Sequence, residues 1–534
     1  MKTGHELYYG GTVITADSSN PMAEAVAVAD GTIKLVGSEK ECRSALGAGY
    51  EPVDLKGGAL LPGFYDCHIH PLPTVFYAIN ADLLGASSLE DLLARLRASA
   101  AEKGAGATIV GCNFDEQAMD VRRLPTRHDL DRVSTDRPVV IIKHDGHSVI
   151  ANTKALEMAE ITKATPDPQA GVIDRDEHGV PLGIFREAAV PLVLNHMPLP
   201  DEQELTRGAK KAFEGMLKYG ITSLGCVLQT DENGPGGELG ALEIPFMQLL
   251  RPVIPQSLYH FILAKDAGIV TEQMTSALHD PSPGSNTRVG GLKIISDGSF
   301  GTSTAAMYEP FSDQPDKKGF MLFQEEALHE LISAAHKAGM QVAIHAIGDF
   351  ANSLCIGIFE KVLKAGPRRD HRHRIEHAAI MGPKELRRAS SLGLLMSVQP
   401  MFIHSEKHWL AGRLGEARLK RTYPFRSMLM AGLRLCGSSD SPVEKQDIMH
   451  AIECCVTREG LVPSESIRLH DAIEMFTINA AYAHFEEGVR GSITAGKKAD
   501  LVVLEQNPFV VKGSELHSIK VVKTIVGGEI LYSA

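Results

Sequence analysis

The sequence predicts an α/β protein: a (β/α)8 TIM barrel with a small β-sandwich domain formed by both chain termini and an insertion after the first barrel strand. Three observations predict it. The middle of the chain alternates short apolar runs with helical patterns, as a parallel barrel requires. Both ends read instead as short β runs separated by turns. The 534 residues also exceed the roughly 250–300 that one core usually holds, so an accessory domain is expected.

The elements follow in order. Near the N-terminus, EAVAVADGTIKLVG (24–37) alternates around Asp30-Gly31, a dipeptide that favours a two-residue hairpin turn. Eight candidate barrel strands come next: GFYDCHIH (63–70), GITSLGCV (220–227), SLYHFIL (257–263), GGLKIIS (290–296), QVAIHA (341–346), HRIEHA (373–378), GLLMSVQ (393–399) and LRLCGSS (433–439). Helical patterns lie between several of them. DEQELTRGAKKAFEGMLKYG opens on an Asp cap, and it and QEEALHELISAAHKAG both end in Gly. Residues 75–190 break the alternation with helix signals, a strand-like RPVVIIKHDGHSVIA and a turn-rich TPDPQAGVIDRDEHGVP, and read as an insertion that forms or covers a substrate pocket. The last 50 residues return to β runs, KKADLVVLEQNP and IKVVKTIVGGEILYS, the latter broken at Gly527-Gly528. The expected domains are 1–61 with 488–534 as the sandwich and 62–487 as the barrel, with 75–190 as an inserted subdomain.

Composition narrows the partners. Hydrophobic residues make up 44% and charged residues 22%, with a net charge of -12 and no Lys/Arg run. An acidic chain of this kind disfavours nucleic acid and anionic membranes, and points to a small-molecule substrate. MKTGHELYYGGTVITADSS has no apolar h-region, so no signal peptide is expected, and no run reaches the ~18 apolar residues of a membrane helix. Eight cysteines without a CxxC pair fit reduced, buried thiols and a cytoplasmic location.

The polar residues at the strand ends carry the chemistry. His68 and His70 alternate onto one side of a strand, and neutral imidazole is a common ligand for divalent metals. His345, His377 and Asp440 end three further candidate strands, and a barrel builds its sites by such convergence. Lys293 lies inside an apolar strand, where an ammonium is costly. It is open to three readings: a neutral amine, a pair with an acid such as Asp297, or carboxylation to an anionic oxygen ligand. Asp349, Asp297 and Glu376 are candidates to orient metal ligands. His404 and His408 read as solvated loop residues.

These stretches resemble the amidohydrolase superfamily, and within it the amidohydrolase-3, YtcJ-like branch that includes N-substituted formamide deformylases. The resemblance rests on LLPGFYDCHIH, LPTRHDLDRVSTDRPVVIIKHDGHSVIANTKAL, GGLKIISDGSFGTSTA, VAIHAIGD, HRIEHA, SVQPMFIHSEKHWLAGRLG, GSSDSPV and FTINAAYAHFEEGVRGSITAGKKADLVVLEQNPF, in this order along nearly the whole chain. It implies the same barrel and sandwich. It further implies that His68 and His70 bind one metal, that His345 and His377 bind a second, and that carboxylated Lys293 bridges the two. Asp440 would touch the first metal and move protons. The implied cofactor is two Zn2+ per chain, although some relatives use one metal, and the implied reaction is attack of a metal-bound hydroxide on an amide carbonyl. Asp145 and His147 (the alternative being a tight turn at Asp145-Gly146), Ser303 and Trp409 are substrate-side candidates. The branch often has arginine where this chain has Ser303, and the loss of a guanidinium there would weaken recognition of an anionic or carbonyl group. Relatives are commonly oligomeric, so a homo-oligomer is in view, but no self-complementary patch is legible. The expected function is hydrolysis of an N-substituted formamide or N-acyl amine. The alternatives are an ester or lactone hydrolase, a decarboxylase on the same scaffold, and a catalytically silent regulatory or ligand-binding protein.

Overall fold

The computed structural model describes all residues except 1–3, 115–118, 121–122, 144–147, 170, 232–236 and 283, and leaves aside the side chains of 237–239. The chain forms two compact units, Met1–Leu72 with Phe213–Ala534, and Pro73–Ala212. Among the described residues no helix is long and apolar enough to cross a membrane, and all eight cysteines are free and buried.

The first unit contains an eight-stranded parallel sheet whose strands follow one another in chain order. We name them β1 (Phe64–Ile69), β2 (Ile221–Gln229), β3 (Ser257–Leu263), β4 (Thr287–Ile295), β5 (Gln341–Ala346), β6 (Arg374–His377), β7 (Leu395–Val398) and β8 (Arg434–Gly437). Each lies inside or overlaps a run read from the sequence. The sheet closes where β8 returns to β1: Ile69 bridges Ser441, the Asp440 N–H donates to His68 O at 2.9 Å, and the His70 N–H donates to Ser441 O at 2.8 Å. The seam therefore joins the C-terminal ends of these two strands and fixes the spacing of the polar residues there. Between β1 and β2 the register shifts around Gly225. A Cβ on Gly225 would lie 2.0 Å from Cys67 O, so only glycine lets β1 approach this closely.

The two chain ends form a four-stranded and a six-stranded sheet. Tyr8, Val26 and Val28 from the first share a core with Val13, Leu60, Leu501, Val503 and Ile525 from the second, which makes the pair a sandwich. The predicted hairpin is present: Ala25–Ala29 pairs antiparallel with Thr32–Gly37, and Asp30 and Gly31 both hold positive φ (51° and 74°), as a type I′ turn needs.

The second unit is built on a six-stranded sheet. Val139–Lys143 and Ser148–Ala151 pair antiparallel, and successive residues go to opposite cores: Val139, Ile141 and Ile150 to one, Val140, Val149 and Ala151 to the other. Burial on both faces explains why this stretch reads as a nearly continuous apolar run. The stretch read as turn-rich holds the strand Gly171–Arg175, which pairs antiparallel with Pro181–Glu187, a strand that begins at the stretch's last residue. Their turn is tied by Asp176, whose N–H donates to Val180 O at 2.9 Å.

Candidate metal centre

His68 lies near the end of β1 and His70 just after it, Lys293 lies in β4, and His345 and His377 lie at the ends of β5 and β6. Asp440 follows β8. All six sit toward the C-terminal ends of the strands, the end at which barrels carry their sites. His377 and Asp440 both leave extended geometry for the left-handed region (φ 69° and 60°), a conformation rarely held without glycine and often concentrated at functional sites.

The six side chains meet. Asp440 Oδ1 lies 3.4 Å from His68 Nε2 and 3.2 Å from His70 Nε2. Lys293 Nζ is 3.4 Å from His68 Nε2. The ring centroids of His68 and His377 are 5.6 Å apart, and those of His345 and His377 4.4 Å. Outer partners set the tautomers. His68 Nδ1 is 2.7 Å from Glu376 Oε2, so this nitrogen carries the proton and Nε2 presents a lone pair inward. His377 Nδ1 donates to Gln399 Oε1 at 2.8 Å, while Gln399 Nε2 donates to Ser438 Oγ at 2.9 Å, which leaves His377 Nε2 as an acceptor. His345 is turned the other way: its Nε2 faces Gly298 O at 3.1 Å and Asp297 Oδ1 at 3.4 Å, so its inward acceptor is Nδ1.

Electrostatics keep these groups in ligating form. Burial lowers the His68 imidazole to about 3, with Lys293 adding to the fall. Burial likewise holds His345 well below and His377 below the usual range. Lys293, 1% exposed, is brought down by burial to about 8. Burial acts to raise Glu376 and Asp440, but their neighbours outweigh it: Arg374, Lys293 and the hydrogen-bonded His68 at Glu376, and the imidazoles of His68, His70 and His377 at Asp440. Burial thus favours the neutral imidazole at His68, His345 and His377, while Asp440 is held below the usual carboxylate range.

That arrangement fits a divalent cation. Asp440 Oδ1 is buried and receives no hydrogen bond. With the imidazole lone pair of His68 directed at it, the contact is repulsive unless a positive ion lies between. His68, His70 and Asp440 form one of the groups among the described residues whose donor atoms lie close enough to share one ion. Nitrogen and carboxylate oxygen are the donors zinc accepts.

The remaining candidates are placed as follows. Asp297 does not pair with Lys293: its oxygens accept from the N–H groups of Ala306, Ile347 and Gly348 at 2.9–3.1 Å and face His345. Asp349 accepts from Tyr308 N–H at 3.0 Å and lies 3.6 Å from Arg421, not against a ligand. Ser303 is buried, and its Oγ is 2.6 Å from Arg413 Nη1, so a guanidinium reaches this loop from the segment after β7. Trp409 is 36% exposed, too open for core packing, and its ring lies 5.8 Å from Arg413 Cζ. His404 is helical, not a loop residue. Asp145 and His147 lie outside the described residues. Gln399 and Arg374 were not singled out in the sequence. Arg374 donates to Glu376 and Cys67 O and so locks the carboxylate that orients His68. Arg374 and Glu376 alternate onto one face of HRIEHA, and Gln399 closes the apolar LLMSV, but the partners that give Arg374 and Gln399 their roles lie on other strands.

The chain is similar to known proteins along most of its length. The family described as the amidohydrolase family matches residues 51–532. YtcJ of Bacillus subtilis (strain 168) is 29% identical over 98% of this chain and 99% of its own. An N-substituted formamide deformylase of Arthrobacter pascens is 28% identical over 97% of each chain. The crystal structure of a metal-dependent hydrolase from Pyrococcus horikoshii OT3, itself uncharacterized, superposes with a TM-score of 0.77 at 27% identity, covering 96% of this chain and 99% of that one.

Proposed function

The chain belongs to the amidohydrolase family, a family of metal-dependent hydrolases, and on that premise we propose that it hydrolyses an amide carbon–nitrogen bond of an N-substituted formamide or N-acyl amine. The observation that carries the reading is the convergence of His68, His70, Lys293, His345, His377 and Asp440 from five strands of one barrel. The likeness to a formamide deformylase supports the substrate class.

His68, His70 and Asp440 would hold one divalent cation, with zinc suited to the donors, and His345 and His377 a second, with Lys293 between them once its amine is carboxylated. Cations bound there would acidify water and polarise a carbonyl oxygen. The remaining work falls to this chain's own side chains. Asp440, held ionised, takes the proton of the attacking water and delivers it to the departing nitrogen, because an amide nitrogen leaves readily only when protonated. Glu376 and Asp297 keep the His68 and His345 rings in the tautomers that face inward. Burial makes Lys293 a better nucleophile toward CO2 by lowering its proton affinity.

The test is the metal content of protein purified without chelator, followed by turnover of N-substituted formamides, N-acyl amines and matched esters. About two equivalents of metal per chain and amide turnover that chelation removes and zinc restores are expected. Turnover of esters alone would move the reaction to ester hydrolysis. Absence of metal after reconstitution, with no turnover, would sink the proposal.

A further inference from the structure

A second group of imidazoles converges on a carboxylate away from the six ligands. His404 lies on helix Met401–Glu406, which follows β7, and His450 on helix Ile448–Thr457, which follows β8. Glu459 lies just past the second helix in the short turn Arg458–Gly460. His404 Nδ1 is 2.9 Å from Glu459 Oε2 and 3.0 Å from Oε1, and His450 Nε2 is 2.8 Å from Oε1. Cys454 Sγ is 3.6 Å from that same Oε1. One donor atom from each of His404, His450 and Glu459 lies within 4.8 Å of the others.

The local backbone aims the carboxylate at this point. Arg458 and Glu459 are consecutive non-glycine residues in the left-handed region (φ 60° and 45°), and the reversal brings the Glu459 side chain back onto both helices. Burial acts to raise Glu459, but hydrogen bonds from Lys407, His450 and His404 outweigh it and hold the carboxyl at about 2. His404 is nearly half exposed while Glu459 is largely covered, so the group is reachable from solvent on one side.

We propose that His404, His450 and Glu459 form a second, zinc-type cation site that fastens the segment after β7 to the segment after β8. Two imidazole nitrogens and one carboxylate oxygen suit a borderline divalent cation better than calcium or magnesium, which prefer oxygen alone. Ligands at ~2.0–2.1 Å from a tetrahedral ion stand about 3.3 Å apart. The present hydrogen-bonded spacing therefore opens by a few tenths of an ångström on binding, a change within reach of the glutamate side chain. For each imidazole the nitrogen that now faces Glu459 turns its lone pair to the ion, with the ring proton on the other nitrogen. Lys407 donates to Oε2, which leaves Oε1, the oxygen beside His450 and Cys454, for the ion. Water or the Cys454 thiolate completes the shell, and in the second case the thiol proton passes to solvent.

The experiment uses the full chain with its barrel metal in place. Zinc is added to wild type and to His404→Ala, excess is removed by gel filtration, and metal per chain and Tm are measured. Wild type should retain about one equivalent more than the variant and gain Tm at micromolar zinc, while the variant gains none. Barrel metal measured before the addition should be the same in both, which separates this site from the one proposed for catalysis. Equal retention and equal Tm shifts would overturn the proposal and leave Glu459 as a hydrogen-bonded anchor only. Should His404→Ala fail to fold, the more conservative His404→Gln is read in the same way, since glutamine keeps a polar side chain at Glu459 but offers no imidazole.

Discussion

Asp440 carries the proton-transfer role in the proposed reaction. It stands at a strained backbone position, its Oδ1 lies between two imidazole nitrogens, and the surrounding imidazoles hold it below the usual carboxylate range against the pull of burial. Asp440→Asn preserves its size while removing the charge and the capacity to accept a proton. Turnover is expected to fall about 10²–10⁴-fold, the usual worth of a positioned general base, while much of the metal stays with His68, His70, His345 and His377. Steady-state kinetics with elemental analysis checks this, and near-normal kcat would remove Asp440 from the chemistry. At this scale the members of the candidate site were legible because each is a polar residue inside or at the end of an apolar run. The orienting partners were less so. Glu376 stands next to His377 in sequence and Asp297 four residues after Lys293, but Gln399 gains its meaning only because β7 lies beside β6, and Arg374 only because it reaches across the barrel to Cys67 O. Such facts are long-range, and no local pattern carries them.

The elements place these residues through register. Alternation along β1 puts His68 and His70 on one side, but the shift against β2 at Gly225 sets how far β1 curls toward β8. Gly225→Ala would set a methyl 2.0 Å from Cys67 O and 2.8 Å from His484 Cε1. The first contact is backbone, which cannot swing aside, so β1 must move. The expected cost is about 1–3 kcal/mol, as for overpacking elsewhere, together with weaker metal retention, since the residue after Cys67 is His68. Denaturant unfolding and metal content of the variant test both, and wild-type values in each would show that β1 tolerates the shift. All eight barrel strands and the Asp30-Gly31 hairpin were legible from apolar runs and turn residues. The register shift was not, because it depends on how two strands far apart in the chain, pairing Ile221 with Phe64, fit together. Nor was the pair Gly171–Arg175 and Pro181–Glu187: GVIDR and PLGIFRE are short, carry charges at their ends, and flank a run of turn residues.

Across the whole molecule, the two ends of the chain depend on each other. Leu501–Leu504 pairs antiparallel with Ala59–Pro62, and Ile33 N–H donates to Lys497 O at 2.8 Å while Ile493 N–H donates to Thr15 O at 2.8 Å. The β character of both ends suggested one domain, yet which residues face each other could not be read, since that needs the barrel between them to bring the ends together. Ile525 tests the dependence. It is fully buried in the core shared by Tyr8, Val13, Val26, Val28 and Leu60 from the N-terminal segment and Leu501 and Val503 from the C-terminal one. Ile525→Ala leaves a cavity there and is expected to cost about 2–5 kcal/mol. If the sandwich is one cooperative core, the loss spreads to the far end of the sequence, and hydrogen exchange should quicken in His5–Tyr9 and Ala25–Ala29 as well as in the strand Val521–Val526 that carries the substitution. Exchange confined to the C-terminal hairpin would mean that the N-terminal sheet is stable by itself. In that case the contacts between the ends would be an adhesion of two separate elements and not a shared core.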